Sequence, residues 1–231
     1  IDAKVGNATA FNFYATAIPL ATFFTTDPQA LATTLFAADS VVNGSELGDT
    51  LYGYDLNDIM GGGSGADLMY GGDGKDQVAG NNDDDKVYGD AGDDWLTGGM
   101  GNDKLYGGDG FDVASFSDKL SPVLVNLGKG NTPKAKIGFS EVDKLKGIEG
   151  VWGGLGNDKI TGNGGDNALG GNSGNDLLKG KGGDDLLVGF WGQDTLIGGK
   201  GSDTFLFDRI AASDKTLNWD LIKDFDAGKD T

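Results

Sequence analysis

The sequence contains no cysteine and no histidine, and these two absences exclude whole classes of function. Without cysteine the chain cannot form a disulfide framework, a thiolate metal site or a cysteine nucleophile. Without histidine it cannot form a Ser-His-Asp triad, a histidine-ligated zinc site or an imidazole general base. The chemistry that remains depends on carboxylates, hydroxyls, amides and the backbone.

Basic residues are also few, since 18 Lys and Arg stand against 36 Asp and Glu, a net charge of -18. So acidic a chain is repelled by nucleic acid and by anionic membrane surfaces, and we expect no nucleic-acid partner. No apolar run approaches the roughly 20 residues of a membrane span, and no N-terminal signal peptide is recognisable. Because the chain begins at Ile1, we expect a fragment of a longer protein.

What the sequence has in excess is glycine, with 43 residues, and aspartate, since only three of the 36 acidic residues are glutamate. Glutamate would be typical of a solvated helical face. Aspartate together with glycine is typical of tight turns and of sites where oxygens bind a cation.

Both residues recur with a period of nine. Residues 44–115 and 153–206 hold fourteen copies of a nonapeptide with Gly at position 1, an acidic or amide residue at position 6 and an apolar residue at position 8. Residues 98–106, with the sequence GGMGNDKLY, are a regular copy. The position-6 residues are Asp49, Asp58, Asp67, Asp76, Asp85, Asp94, Asp103, Asp112, Asp158, Asn167, Asp176, Asp185, Asp194 and Asp203.

The nonapeptide predicts its own fold. Six residues of Gly, Asn and Asp turn the chain, and three residues with one central apolar side chain form a short strand. Two copies back to back make one coil of 18 residues, and stacked coils bury the apolar side chains between two parallel sheets. We therefore predict an all-β fold, a parallel β-roll (β-solenoid) of nonapeptide repeats in two stacked blocks, with a small N-terminal cap.

The pattern G-G-x-G-x-D-x-U-x resembles the RTX, or hemolysin-type calcium-binding, repeat. The resemblance implies a β-roll with roughly eight to ten Ca²⁺ ions between stacked loops, bound by the position-6 side chains and by loop carbonyls. The implied carbonyl ligands are those of Gly62, Gly63, Ser64, Gly65, Gly71, Gly72, Asp73, Gly74, Gly89, Asp90, Ala91, Gly92, Gly98, Gly99, Met100, Gly101, Gly107, Gly108, Asp109, Gly110, Gly153, Gly154, Leu155, Gly156, Gly171, Asn172, Ser173, Gly174, Gly180, Lys181, Gly182, Gly183, Gly198, Gly199, Lys200 and Gly201.

The resemblance also implies a function. RTX proteins leave Gram-negative bacteria through type I secretion machinery and fold on binding calcium outside the cell, so we expect a secreted, extracellular or cell-surface module. We expect no catalysis by this segment. Two alternatives stay open, a structural S-layer or adhesin module and the non-catalytic C-terminal part of a secreted protease, lipase or alginate epimerase. A cell-surface or polysaccharide partner is also considered.

Some loops depart from the repeat. Ser45 and Leu47 in loop 44–49, and Tyr54 and Leu56 in loop 53–58, stand where glycine is expected, so we expect these loops to bind calcium weakly or not at all. Asn167 replaces a carboxylate by a neutral amide, and we expect weaker sites beside it.

Tyrosines recur at one coil position. Tyr52, Tyr70, Tyr88 and Tyr106 are spaced by 18 residues, so we predict one outward column on a single sheet. Two interpretations are open. The column stabilises the sheet by packing along it, or it forms a face for a ligand such as a sugar.

The repeats also define the domain organisation. We assign residues 1–43 to an N-terminal cap or the end of an upstream domain, 44–115 and 153–206 to two β-roll blocks, and 207–231 to a truncated C-terminal capping segment. Residues 116–152 are expected to continue the coil or to form a side hairpin. Asp220 is a further candidate ligand.

Overall fold

The computed structural model describes residues 39–128, 133–206 and 220–231. The described residues contain strands, turns and bends but no helix, and therefore no helix that could cross a membrane. Of the N-terminal segment assigned to residues 1–43, residues 1–38 lie outside the described residues, and β1 at its end (Val41–Asn43) pairs within the roll. The chain divides into two compact units between Asp112 and Val113, and each unit is described by itself.

The first unit is a β-roll of two parallel sheets. One sheet has the order β1-β3-β5-β7 and the other the order β2-β4-β6-β8. Neighbouring strands pair with an offset of 18 residues, so that Met69 lies beside Val87 and Val87 beside Leu105. The strands are β1 (Val41–Asn43), β2 (Thr50–Asp55), β3 (Ile59–Gly63), β4 (Leu68–Asp73), β5 (Gln77–Asn82), β6 (Lys86–Ala91), β7 (Trp95–Met100) and β8 (Lys104–Asp109).

The second unit has the same architecture around an insertion. Its sheets have the orders β9-β13-β15-β17-β19 and β12-β11-β10-β14-β16-β18-β20. The strands are β9 (Val113–Ser115), β10 (Val123–Asn126), β11 (Lys134–Ile137), β12 (Glu141–Lys146), β13 (Gly150–Trp152), β14 (Lys159–Thr161), β15 (Ala168–Ser173), β16 (Leu177–Gly182), β17 (Leu186–Trp191), β18 (Thr195–Lys200), β19 (Thr204–Leu206) and β20 (Leu221–Ile222).

The insertion lies inside the second sheet of that unit. Strands β10, β11 and β12 pair antiparallel, whereas β10 pairs parallel with β14 and so continues the roll. In the other sheet β9 pairs directly with β13, which places Ala114 beside Val151. The interruption of the repeat is therefore an antiparallel meander added to one sheet. The regular coil resumes after it with β13 and β14.

In the repeat blocks the core is formed by the position-8 side chains, as the sequence predicts, and the insertion adds buried residues such as Phe116 and Leu145. The position-8 side chains are at most 5% exposed and stack in the thin space between the sheets. Because one coil buries only two such side chains, each coil depends on its neighbours for stability. The buried position-8 residues are Leu51, Met60, Met69, Val78, Val87, Leu96, Leu105, Ala114, Ile160, Leu169, Leu178, Leu187, Leu196 and Phe205, and Val151 of β13 is buried beside them.

The predicted tyrosine column is present in the first unit. The ring centroids of Tyr52 and Tyr70 lie 5.1 Å apart, those of Tyr70 and Tyr88 4.9 Å, and those of Tyr88 and Tyr106 4.5 Å. The planes differ by 16° or less. The rings therefore stack along the sheet, which is the geometry required if the column stabilises the roll.

Replacing Tyr88 by Ser should destabilise the folded first unit about twice as much as replacing Tyr106 by Ser. Tyr88 stacks on two tyrosines, whereas Tyr106 stacks on Tyr88, and each aromatic pair contributes roughly 0.5–1.5 kcal/mol. Urea unfolding in saturating calcium measures both variants. Equal losses would contradict a stabilising role for stacking.

Candidate metal sites between stacked loops

The position-6 aspartates form buried rows between stacked loops. The eleven position-6 aspartates from Asp58 to Asp194 are each 2% exposed or less, and Asp203 is equally buried. One carboxylate oxygen of each is used in the same way. The backbone N–H of Asp67 donates to Oδ1 of Asp85 at 2.8 Å, and that of Asp176 donates to Oδ1 of Asp194 at 2.8 Å. This ladder holds each carboxylate in a fixed orientation.

The second carboxylate oxygen has no protein partner in most loops. Among the residues that the structure describes, eight buried position-6 Oδ2 atoms accept no hydrogen bond. A buried anionic oxygen without a partner is costly, because it has lost its water. Such an arrangement is typical of a site that a cation completes. The eight residues are Asp58, Asp67, Asp76, Asp85, Asp94, Asp176, Asp185 and Asp194.

These oxygens converge with backbone carbonyls of the next loop in the stack. A Cβ added to Gly80 would lie within 3 Å of both Oδ2 of Asp85 and the carbonyl oxygen of Gly98. The same pair of oxygens, one carboxylate and one carbonyl, surrounds Gly62 and Gly171. Position 1 must therefore be glycine, because a side chain would enter the space between the oxygens.

The donor set matches calcium. The described residues contain no group of three or more acidic side chains close enough to bind one metal ion, so each site combines few carboxylates with carbonyls. Calcium binds six to eight oxygens at about 2.3–2.6 Å, carbonyls included, in flexible geometry. Zinc prefers nitrogen and sulfur ligands, and the sequence has neither histidine nor cysteine. The residues present thus fit Ca²⁺.

The turns need a left-handed backbone at positions 2 and 4. Gly92, at position 4, has φ +132, and a Cβ there would meet the carbonyl oxygen of Gly74 in the preceding loop. Tyr54 and Leu56 adopt positive φ at the same two positions. Loop 53–58 therefore has the backbone of a regular loop although its sequence departs from the repeat.

Three loops have a different conformation, in which the chain itself satisfies the position-6 oxygen. In loop 44–49 the N–H and hydroxyl of Ser45 both donate to Oδ2 of Asp49, at 2.7 and 2.8 Å. In loops 153–158 and 162–167 the position-2 N–H donates likewise to Asp158 and Asn167. We name these three the closed loops. The loops that contain the eight oxygens without a protein partner are the open loops.

The C-terminal segment continues the carboxylate ladder beyond the repeats. Oδ1 of Asp220 accepts the N–H of Asp194, and Oδ1 of Asp230 accepts the N–H of Asp203, both at 3.0 Å. The sequence indicated Asp220 but not Asp230. Neither follows the spacing of 18, because the chain makes a longer excursion first, so periodicity alone cannot find Asp230.

Burial raises the pKa of these carboxyl groups. The pKa rises to about 6 for Asp76, to about 7 for Asp85 and to about 8 for Asp176. Desolvation is the main cause, the backbone N–H at Oδ1 opposes it, and the stacked aspartates on either side raise the pKa further. Without a cation the rows therefore disfavour their own ionised form.

The fold and the rows of oxygens define the chain as a calcium-binding β-roll. The model of the RTX calcium-binding nonapeptide repeat matches four segments, residues 43–78, 79–114, 150–178 and 170–205. The chain belongs to this family. RTX repeats bind calcium, and they are structural modules rather than catalytic domains.

Further comparisons add a distant structural neighbour. No curated protein sequence matches the chain. Among solved structures, the extracellular lipase LipA from Serratia marcescens is similar at 20% identity with a TM-score of 0.34. The match covers 76% of this chain and 34% of the lipase chain, so this chain spans about a third of that protein.

The calcium-free protein should be more stable at pH 5 than at pH 8. The folded pKa values of about 6 to 8 exceed the ordinary aspartate value of 3.8, so the folded state binds more protons between about pH 4 and pH 8. Its stability then falls as the pH rises through that window. The far-UV circular dichroism signal of β structure, measured across this pH range in metal-free buffer, reports the trend, and a β content that increases with pH would contradict it.

Proposed function

We propose that this chain is a module that folds when it binds calcium outside the cell. The observation that carries the proposal is the set of eight buried Oδ2 atoms that lack a protein partner in the open loops. The proposed ligands are the position-6 aspartates of those loops, together with the carbonyls at positions 1 to 4. Calcium supplies positive charge between the stacked carboxylates, and its binding free energy becomes folding free energy.

Electrostatics explain the switch. Asp85 lies between the stacked charges of Asp67 and Asp103, and both raise its pKa. The whole chain carries a net charge of -18, which opposes compaction. The core of one side chain per strand is too thin to offset this repulsion and the loss of chain entropy. Millimolar calcium, the range of extracellular modules, removes the repulsion.

The same switch serves secretion. Where calcium is scarce, inside the cell, the repeats with open loops stay unfolded, and the largely unfolded chain can pass through type I secretion machinery. Outside a Gram-negative cell, calcium folds it and stabilises the secreted or surface protein that carries it. We propose no catalysis by this segment. The parent protein is then a secreted enzyme with a non-catalytic RTX part, or a structural S-layer or adhesin protein.

A calcium titration of metal-stripped protein tests the proposal. Far-UV circular dichroism should change cooperatively from coil to β near millimolar calcium, and magnesium at the same concentration should not reproduce the change, because Mg²⁺ demands octahedral geometry and dehydrates reluctantly. A spectrum that shows the complete β-roll in EDTA would refute the folding switch and favour a constitutive structural role.

Asp85→Asn provides a sharper test, because it should raise stability in EDTA but reduce the stability gained on adding calcium. The substitution removes a buried charge and supplies an N–H donor beside the Gly98 carbonyl. The variant should be more stable than the parent in EDTA at pH 8 but gain less stability from calcium. The matched control is Asp73→Asn, an exposed loop aspartate with the same change in charge. Identical behaviour of the two variants would contradict a ligand role for Asp85.

A second candidate function, attachment to an acidic surface polymer, is favoured by an exposed lysine face. Strands β11, β12, β14 and β16 of the second unit carry six lysines that have no ion-pair partner within the described part of the chain. Lys134 and Lys144 lie directly opposite each other, and like charges in that position are unfavourable without a counter-charge. The lysine face consists of Lys134, Lys136, Lys144, Lys146, Lys159 and Lys179.

Binding to dextran sulfate, with neutral dextran as the control, tests this second function. Exchange of Lys134, Lys136 and Lys144 for Gln should weaken binding in calcium and reduce its salt dependence, because fewer charges contact the polymer. The same exchange at Lys75, Lys200 and Lys229, which are exposed elsewhere, should have a smaller effect. Equal effects of both triple variants would show attraction without a specific face.

A further inference from the structure

Two of the closed loops lie where the repeats resume in the second unit, and each satisfies its position-6 oxygen internally. The N–H of Gly154 donates to Oδ2 of Asp158 at 2.6 Å, and the N–H of Asn163 donates to Oδ1 of Asn167 at 2.8 Å. The amide nitrogen of Asn167 donates in turn to the carbonyl of Glu149 at 3.0 Å. Asn167 thus uses both ends of its amide within the protein, and no oxygen is left over for a cation.

The position-1 carbonyls of the same two loops are also occupied. The side-chain amide of Asn172 donates to the carbonyl of Gly153, and the ammonium of Lys181 donates to the carbonyl of Gly162 at 2.8 Å. Asn172 and Lys181 both have positive φ, at 72° and 87°, a conformation that favours glycine. Their side chains thus provide donors that glycine at the same positions would lack.

A buried lysine supplies positive charge at the neighbouring position. Lys119 is 6% exposed and pairs with Glu141 and, at 3.4 Å, with Asp118. Burial alone would lower the pKa of Lys119, but the hydrogen bond to Glu141 and the carboxylates of Asp118, Glu141 and Asp143 raise it. The ammonium therefore stays charged inside the fold.

The segment that carries Lys119 packs on loop 153–158 as another loop would. The carbonyl of Lys119 accepts the N–H of Leu155 at 2.8 Å. The N–H of Val123 donates to Oδ1 of Asp158 at 2.8 Å, and so replaces the ladder bond that a preceding repeat supplies elsewhere. In loops 153–158 and 162–167, four donors of the protein therefore hydrogen-bond the loop oxygens, and the Lys119 salt bridge lies beside them. In the open loops the corresponding Oδ2 atoms have no protein partner.

We propose that strands β10 to β14 with loops 153–158 and 162–167 form a metal-independent nucleus, in which the chain's own donors take the place of calcium. The proposal rests on the proposed calcium-driven folding of the open loops. It assigns no ion to the two closed loops, and calcium then folds the remaining coils. Four gaps between two open loops remain for calcium, fewer than uniform repeats would provide.

Hydrogen exchange on the whole chain, with and without calcium, tests the nucleus. In EDTA the amides of Val125, Ala135, Leu145 and Ile160 should be protected, whereas those of Val87, Leu105, Leu187 and Leu196 should exchange freely until calcium is added. Exchange throughout the chain in EDTA, followed by calcium-induced protection, would overturn the nucleus but leave calcium-driven folding intact. Protection throughout the chain in EDTA would overturn both.

A pair of asparagine variants separates the donor from its backbone conformation. Asn172 and Asn81 both stand at position 2 with positive φ, 72° and 79°, but the Asn81 amide donates to the carbonyl of Ala79 in its own strand. Asn172→Gly should lower the protection of Ile160 in EDTA by about tenfold, the effect of one lost hydrogen bond. Asn81→Gly should leave it unchanged, and equal effects would count against the proposal.

Lysine variants test the internal cation. Lys119→Met should abolish protection of the nucleus in EDTA, because it leaves buried carboxylates uncompensated. The double variant Lys119→Met with Glu141→Gln should recover part of that protection, which a mere packing defect would not. Lys75→Met is the control, since Lys75 pairs with Asp93 on the exposed surface. Full protection in Lys119→Met, or no recovery in the double variant, would refute the role of Lys119.

Discussion

The structure depends on one unfavourable arrangement, the burial of carboxylate oxygens that the protein does not satisfy. The ladder from the backbone N–H of each position-6 residue to Oδ1 of the next fixes the orientation of the carboxylates. That orientation directs Oδ2 into the gap between loops, beside a carbonyl of the stacked loop. The backbone pairing that builds the sheets therefore also creates rows of buried like charges, and only a bound cation or a proton relieves them.

The closed loops show how the same nonapeptide avoids that requirement. When the backbone at position 2 turns inward, its N–H takes the oxygen that an open loop leaves without a partner. Closure is found at the first repeat of the first unit and at the first two repeats of the second, where a regular preceding repeat is missing. A loop with a stacked neighbour on one side only can share a cation on that side alone. An N–H of the same loop then satisfies the oxygen in place of a second cation. Calcium dependence is thus a property of individual loops.

The sequence predicted the parts of the structure that follow from local periodicity. The nine-residue period identified the buried position-8 side chains, the offset of 18 between paired strands and the column from Tyr52 to Tyr106, and the structure confirms all three. The sequence was a poorer guide to individual loops, because a loop's residue types do not always determine its backbone conformation. Tyr54 and Leu56 depart from the repeat yet keep its backbone, whereas Gly154 fits the repeat but lies in a closed loop.

By itself, then, the sequence determined the fold and the kind of ion. Glycine, aspartate and one apolar residue at a fixed spacing allow a single stacked arrangement, and oxygen-only donors suit a hard cation. Only the tertiary structure decided which oxygens are left for that ion. The N–H that closes a loop is only four residues from its acceptor, but its inward turn depends on the neighbouring segment, as where the N–H of Leu155 donates to the carbonyl of Lys119. The donor to a position-1 carbonyl comes from a residue distant in sequence, such as Lys181 at Gly162. The repeat pattern alone does not predict such contacts, because they arise where the stack is interrupted.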